Sequence, residues 1–249
     1  MRVFRGFDDL PQFHNAVVTM GSYDGVHHGH RQIIALLCEQ ARRLGGESIV
    51  MTFAPHPRQV LGLGQVRLLN SLEEKIMLLE QAGVDNLIVI HFDMEFSRIS
   101  SERFITDYMV GRLGMKAAVV GYNHRFGHDK ESGAEVLSRL KDRFGFEVTK
   151  VERYELDEKK ISSTEIRKAI EVGDVALAAE LLGRPYMMLA EVHGERAVWS
   201  ERDKMLPAAG RYEVRVDGER MTAEVTEGEV VLVGCEDRER VLIEFLAKE

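Results

Sequence analysis

The stretch Thr19 to His30 reads Thr-Met-Gly-Ser-Tyr-Asp-Gly-Val-His-His-Gly-His. Before it, Ala16–Val18 is apolar and β-prone, which is typical of a buried parallel strand. After Gly29, apolar residues recur at the spacing of a helix face, and these are Ile33, Ile34, Leu36, Leu37, Ala41 and Leu44. The stretch therefore predicts a strand, a turn that contains glycines, and the start of a helix.

A helix that starts at this point would present backbone N–H groups without intrahelical partners, where an anion binds well. His27 and His30 are three residues apart, so both would face the same way on the first turn. Each imidazole can donate a hydrogen bond, and we expect a fraction to be protonated near neutral pH. This context favours polyphosphate chemistry over the alternative, a histidine-rich surface loop.

Composition limits the function classes. The chain has 249 residues, of which 45% are hydrophobic, enough for one large or two small domains. A net charge of −8 argues against a general nucleic-acid binder. Cys38 and Cys235 lie far apart, outside any metal-type spacing, and predict reduced thiols. The chain starts without an apolar signal core and contains no run of membrane-spanning length, so we expect a cytoplasmic protein.

Strands alternate with helices five times up to about residue 155, which predicts a parallel sheet with helices on both faces. The predicted helices include residues 100–113, and the predicted strands beyond the first are residues 46–54, 86–91, 115–121 and 146–151. From Pro185 the chain changes to short strands separated by turn signals, which predicts a small antiparallel barrel or sandwich. We therefore expect an α/β domain over residues 1–185 and an all-β domain over residues 186–249.

Three further segments carry candidate binding residues. Pro55 and Pro57 flank one residue after the second strand and predict a stiff, extended wall or simply a rigid strand exit. The glycine-containing segment 62–68 predicts a mobile loop, in which Arg67 is either a phosphate-directed cation or a plain surface arginine. The loop after the strand at 115–121 leaves the sheet edge where open α/β sheets bind ligands. It contains Asn123, for which a turn role is the alternative, together with Arg125 and Lys130.

A second helix start follows at Ser162, which forms a capping-box pattern with Glu165. Ser163 and Thr164 add hydroxyls to its free N–H groups, and Arg167 follows one turn later. This combination predicts a second anion site and is compatible with a purely structural helix start.

These motifs together resemble a known family. The string His27–His30 has the form His-x-Gly-His of the nucleotidyltransferase superfamily, and its longer context resembles the prokaryotic FAD synthetases, which are usually fused to a riboflavin kinase. Thr52–Pro57 matches that family's Thr-Phe-x-Pro-His-Pro at every fixed position, and Ile161–Arg167 matches its Ile-Ser-Ser-Thr-x-Ile-Arg. One departure is Lys130, which stands where the family has arginine and would lack the bidentate fork.

The resemblance implies a Rossmann-like nucleotidyltransferase domain that joins ATP and FMN to give FAD and pyrophosphate, with Mg²⁺ accompanying ATP. The catalytic residues it implies are His27, His30 and Arg167. The ATP-binding residues it implies are Gly21, Tyr23, Asp24, Gly29, Ser163, Thr164 and Arg167. The FMN-binding residues it implies are Pro55, Pro57, Arg67, Asn123, Arg125 and Lys130. The sequence shows no cluster of carboxylates that would predict a metal site built from protein side chains.

The β domain departs from the family. The kinase signature Gly-Arg-x-Leu-Gly-x-Pro-Thr-Ala-Asn is missing, and the corresponding residues 195–207 read Glu-Arg-Ala-Val-Trp-Ser-Glu-Arg-Asp-Lys-Met-Leu-Pro. We therefore expect a shortened kinase-like barrel without kinase activity. The motifs leave open a sister nucleotidyltransferase that acts on another small phosphate, and a non-catalytic flavin or nucleotide binder. They do not address the oligomeric state.

Overall fold

The computed structural model describes residues 1–64, 66–121, 133–152, 155–156 and 159–249. The chain forms two compact units. The first comprises Met1–Tyr23, Gly29–Val66 and Leu78–Arg153, and the second comprises Asp24–His28, Arg67–Met77 and Tyr154–Glu249. The α/β fold followed by a β-barrel is confirmed, whereas the domain boundary after residue 185 stays a prediction.

The first unit contains a six-stranded parallel sheet in the order β1-β4-β3-β2-β5-β6. Its strands are β1 (Arg2–Arg5), β2 (Val17–Met20), β3 (Ser48–Ala54), β4 (Asn86–His91), β5 (Ala117–Gly121) and β6 (Glu147–Val151). Sequence patterns missed β1, because this short edge strand has arginine at both ends and lacks a continuous apolar run.

The strand order reverses beside β2. From β2 the chain adds β3 and β4 on one side, then returns to place β5 and β6 on the other. Open α/β sheets bind ligands at the carboxyl ends of the strands that flank such a switch point. Residues 21–27 follow β2 directly and therefore lie at this switch point, where their ligand-binding role stays a prediction. The loop after β5 lies in residues 122–132, outside the described residues.

Among the described residues up to 144, the helices are α1 (His28–Arg43), α2 (Pro57–Val60), α3 (Leu72–Gln81), α4 (Ser101–Arg103) and α5 (Gly133–Phe144), with a 3₁₀ turn at Phe96–Arg98. The predicted helix over 100–113 continues from α4 as a π-helix, Phe104–Arg112. Phe104 and Met109 are both buried, and their five-residue separation fits the wider turn of a π-helix better than an α-helix.

In the second unit, α6 (Ser163–Glu171) and α7 (Val175–Leu182) share one apolar core with a closed antiparallel barrel. The barrel strands are β9 (Tyr186–His193), β10 (Arg196–Val198), β11 (Gly210–Val216), β12 (Glu219–Thr226), β13 (Glu229–Leu232) and β14 (Arg238–Lys248), preceded by a hairpin of β7 (Glu155–Leu156) and β8 (Lys159–Lys160). Closure of the sheet selects the barrel over the predicted alternative, a sandwich. The helix that starts with Ser163 is thus built onto the same core as the barrel.

Candidate functional site

The turn after β2 is strained. The backbone φ angle is +46° at Tyr23, +89° at Gly25 and +40° at Val26. A positive φ is unusual for any residue with a side chain, and especially for β-branched valine. At Gly25 an added Cβ would also lie 2.9 Å from the Cδ1 atom of Leu69. Such strain persists only where the surroundings enforce it, and it concentrates at functional sites.

Asp24 connects this turn to two other segments of the chain. Its side chain is only 3% exposed and forms an ion pair with Arg167. Its Oδ1 atom accepts hydrogen bonds from the backbone N–H groups of Leu69, at 2.9 Å, and Asn70, at 3.4 Å. One buried carboxylate therefore ties the turn to the residues before α3 and to the side chain of Arg167. A direct contact of Asp24 with ATP stays a prediction.

The start of α6 lies against the same turn. Ser162 caps the helix, as predicted, by accepting a hydrogen bond from the backbone N–H of Glu165 at 3.4 Å. The Ser163 hydroxyl donates to the backbone carbonyl of Asp24 at 2.9 Å. Thr164 is exposed on the first turn of the helix. Serine, threonine and the free N–H groups thus surround a helix start where an anion would be stabilised.

Arg167 lies one turn further along α6. Its Nε–H group donates to the backbone carbonyl of Arg67 at 2.7 Å, and its Nη2 group pairs with Asp24. An arginine has five N–H donors in a fixed fork, so these two contacts orient the guanidinium and leave further donors for a phosphate. The side chain of Arg67 is exposed.

His27 is buried, with 7% of its surface exposed. Burial, followed by the positive charge of Arg184, lowers the pKa of His27 to about 4. Arg184 itself is held by the backbone carbonyls of Gly25, at 2.7 Å, and Val26, at 3.4 Å. The expectation of partial protonation is therefore wrong for His27, because burial beside a cation favours the neutral ring. A neutral imidazole still donates one hydrogen bond.

This pKa predicts a pH-dependent stability. Since the unfolded chain binds the proton with a pKa near 6.5 and the folded chain near 4, stability is complete above about pH 6.5 and declines toward pH 4. The loss over this range is about 3 kcal/mol for the one group. Between pH 7.5 and pH 4.5, urea unfolding of wild type should show a loss of about 2.5 kcal/mol in the free energy of unfolding that is absent from His27→Gln. The variant His193→Gln, at an exposed histidine, should keep this loss. The same dependence of the free energy of unfolding on pH in all three proteins would contradict the prediction.

In the first unit, Tyr23 orients His30. The Tyr23 hydroxyl shares a 2.8 Å hydrogen bond with the Thr19 hydroxyl, and burial raises the pKa of Tyr23 above its ordinary value. The rings of Tyr23 and His30 meet edge to face, with centroids 5.1 Å apart. His30 thus lies on the first turn of α1 against a fixed neutral phenol. Gly29 also lies in the first turn of α1. The backbone N–H of Gly21 donates to the backbone carbonyl of Met51 at 3.0 Å, so it takes part in the hydrogen bonding of the sheet.

The proline segment differs from the predicted extended wall. Pro55 directly follows β3, but Pro57 begins the one-turn helix α2. His56 caps this turn by accepting a hydrogen bond from the Arg58 N–H at 3.2 Å, which fits the preference for proline at the first helical position. Nearby, at the ends of β3 and β4, the ring centroids of Phe53 and Phe92 are 5.4 Å apart. The three remaining flavin-side candidates, Asn123, Arg125 and Lys130, lie outside the described residues.

A family profile described as FAD synthetase matches residues 10–165, more than half of the chain. The chain belongs to the FAD synthetase family. Relatives in this family include the bifunctional riboflavin kinase/FMN adenylyltransferase of Escherichia coli K12, which is 32% identical over 231 residues, covering 88% of this chain and 74% of the relative. The bifunctional riboflavin kinase/FMN adenylyltransferase of Listeria monocytogenes is 35% identical over 220 residues, covering 82% of this chain and 69% of that relative.

A solved structure supports the same fold. The crystal structure of a Streptococcus pneumoniae protein named macrolide-efflux protein matches with a TM-score of 0.84 and 27% identity, covering 100% of this chain and 91% of that one. The family match includes the His27–His30 string, Pro55 and Ser163, whereas Arg167 and Arg184 follow its end.

The described residues were compared with the length of a membrane span and with the side-chain groupings of metal sites. No helix among them is both long and apolar enough to cross a membrane. Nor does the part of the chain that the structure describes bring three or more His, Cys, Asp or Glu side chains together as a metal site would require.

Sequence patterns missed three residues around Asp24 and the strained turn. Arg184 holds the turn through two carbonyls, and Asn70 accepts a hydrogen bond from the N–H of Gly25. Lys75 is buried, and burial lowers its pKa to about 8 against the opposing effects of Asp24 and Glu201. The sequence Ser71-Leu72-Glu73-Glu74 has the pattern of a capping box, which marks where α3 begins but not what surrounds it.

Proposed function

We propose that this member of the FAD synthetase family is an FMN adenylyltransferase, which transfers AMP from ATP to FMN. A phosphate oxygen of FMN attacks the α-phosphorus of ATP in line, the bond from that phosphorus to the bridging oxygen breaks, and pyrophosphate leaves. The observation that carries the proposal is the contact between two family motifs, the one at Asp24 and the one at the start of α6. The Ser163 hydroxyl donates to the Asp24 carbonyl at 2.9 Å, and Arg167 pairs with the Asp24 carboxylate. The names of the relatives agree with it.

Such a transfer needs no protein nucleophile, because positioning and charge stabilisation supply the rate enhancement. His27 and His30 hydrogen-bond to the α- and β-phosphates as negative charge grows on the leaving group. The neutral state of His27 makes it a hydrogen-bond donor in this role, not a cation. Ser163, Thr164 and Arg167 hold the β- and γ-phosphates at the start of α6.

Four ATP-side candidates act mainly through the backbone. Asp24 and Tyr23 have side chains engaged within the protein, so we assign them to shaping the turn, while Gly21 and Gly29 let the nucleotide approach the chain closely. ATP enters as its magnesium complex, with Mg²⁺ belonging to the substrate. We further propose a cytoplasmic enzyme whose partners are small molecules and not nucleic acids.

On the flavin side, Pro55 and Pro57 border the isoalloxazine ring, next to the aromatic pair Phe53 and Phe92. Aromatic and proline surfaces suit a planar ring system because they bury its apolar faces. The candidates Arg67, Asn123, Arg125 and Lys130 would bind the polar edge and phosphate of FMN. Lys130 keeps the charge but not the bidentate geometry of an arginine.

The decisive experiment is incubation of the purified protein with FMN, ATP and Mg²⁺, followed by chromatographic separation of the flavins. We expect FAD and pyrophosphate to form in equal amounts. Bound flavin without FAD would instead indicate a non-catalytic binder, and pyrophosphate release with pantetheine phosphate or nicotinamide mononucleotide in place of FMN would indicate a sister transferase.

The same assay tests the kinase reaction. When riboflavin replaces FMN, we expect neither FMN nor FAD, because residues 195–207 lack the threonine and asparagine of the kinase signature. Formation of FMN from riboflavin and ATP would contradict this expectation.

A further inference from the structure

A single lysine of the β domain is buried without being part of its apolar core. Lys204 is 5% exposed and lies in the segment that replaces the kinase signature. Its ammonium group donates to the backbone carbonyls of Leu69, at 2.8 Å, and Met187, at 2.7 Å, and pairs with Glu74 at 2.6 Å. All three N–H donors of the lysine are therefore satisfied.

The backbone around Lys204 holds the same partner segment. The N–H of Leu68 donates to the carbonyl of Asp203 at 2.7 Å, and the N–H of Met205 donates to the carbonyl of Leu68 at 2.8 Å. Residues 203–205 thus extend alongside residues 68–69 like a short parallel strand pair. We call residues 201–205 the brace.

Charges on the brace complement those at the start of α3. Glu74 pairs with Lys204. Its neighbour Lys75 interacts electrostatically with Glu201, and each of these two residues stabilises the charged form of the other. The second oxygen of Glu74 accepts a hydrogen bond from the N–H of Leu189 at 2.9 Å. Buried charges persist only when they are paired and hydrogen-bonded, so this arrangement specifies one position of residues 68–75.

That position matters because Leu69 is held from both sides. Its carbonyl accepts from Lys204, and its N–H donates to Asp24 at 2.9 Å. Asp24 in turn pairs with Arg167, whose Nε–H binds the carbonyl of Arg67. A continuous set of hydrogen bonds therefore leads from Lys204 to the proposed triphosphate ligand Arg167.

We propose that Lys204 is a positioning residue for ATP: through Leu69 and Glu74 it holds Asp24, and through Asp24 it orients the Arg167 guanidinium toward the β- and γ-phosphates. The inference rests on the proposed function and deepens it. The β domain then serves the adenylyl transfer, and the segment that elsewhere carries the kinase signature fixes the triphosphate side of the site. It predicts an effect on ATP that FMN does not share.

The test uses Lys204→Met, which keeps the length of the side chain and removes its donors. Because this leaves Glu74 buried without its partner, the double variant Lys204→Met/Glu74→Gln is measured in parallel. For both variants we expect the Kd of a non-hydrolysable ATP analogue and the KM for ATP to rise about tenfold, since a displaced Arg167 loses part of a charge-assisted contact. We expect the Kd and KM for FMN to stay within about twofold of wild type.

The matched control is Arg240→Met, which breaks the exposed ion pair of Arg240 with Glu73 at 2.6 Å. This pair joins the same barrel to the same helix start, but neither of its side chains hydrogen-bonds to Leu69 or to the side chain of Glu74. We expect its ATP and FMN constants to equal those of wild type. Circular dichroism and urea unfolding check that each variant is folded.

Three results would overturn the proposal. These are a folded Lys204→Met with the ATP affinity of wild type, equal losses for ATP and FMN, or a double variant that fails to fold, which would assign Lys204 to stability alone. Because analogue binding is measured without turnover, a wild-type protein that binds ATP but makes no FAD would count against the proposed function and leave the Lys204 comparison intact.

Discussion

Replacing His30 with alanine is expected to reduce the rate of FAD formation about 100- to 1,000-fold, the usual cost of removing one donor from a charge-stabilising site. His30 lies on the first turn of α1 against the edge of Tyr23, so its ring is oriented before substrate arrives. The fold should survive, because His30 is only half-buried and belongs to no apolar core. Steady-state kinetics with chromatographic detection of FAD measures the effect.

The matched control is the neighbouring histidine of the same string, His28→Ala. His28 occupies the variable position of His-x-Gly-His, so its removal should change the rate by no more than a few-fold. A His30→Ala protein with near-normal turnover would refute the assignment of His30. Equal losses in the two variants would show that the effect comes from damage to the start of α1 and not from a lost donor.

Replacing Asp24 with alanine is expected to lower the free energy of unfolding by about 3 kcal/mol, because it leaves Arg167 without its buried partner. The N–H groups of Leu69 and Asn70 lose their shared acceptor at the same time. ATP binding should weaken at least as strongly as in Lys204→Met, since Asp24 contacts Arg167 directly. Urea unfolding and analogue titration measure the two effects.

Asp24→Asn separates these contributions, because the amide oxygen can still accept from Leu69 while the charge is lost. It should fall between wild type and Asp24→Ala in stability. The control is Glu224→Ala, which breaks an exposed ion pair with Arg211 and should cost no more than about 1 kcal/mol. An Asp24→Ala protein as stable as wild type would contradict the role given to the carboxylate.

Several features of the candidate site follow from local sequence alone. The capping boxes of Ser71 with Glu74 and of Ser162 with Glu165 use backbone groups within a few residues, so their patterns locate both helix starts. The glycines and histidines after β2 likewise identify the turn. For the π-helix after Arg103, the same local reasoning predicts a helix but not its wider winding, which depends on what packs against Phe104 and Met109.

Other features have no local signature. His27 reads as a histidine near its ordinary pKa, yet burial beside Arg184, a residue far along the chain, keeps it neutral. Lys204 reads as a surface lysine in a charged segment, yet it satisfies two carbonyls and a carboxylate in the interior. Nothing in the residues adjacent to either position indicates these surroundings.

The sequence by itself determined the alternation of strands and helices, the β-strand character of the last part of the chain, and the motifs that place it in its family. Those features depend on periodicity and on contacts between near neighbours, which a linear pattern records. The tertiary structure alone decided that the last strands close into a barrel, that Asp24 joins Arg167 to Leu69, and that His27 is neutral. These depend on burial and on charges brought together from distant positions, because the energy of a titratable or hydrogen-bonding group is set by what surrounds it in space.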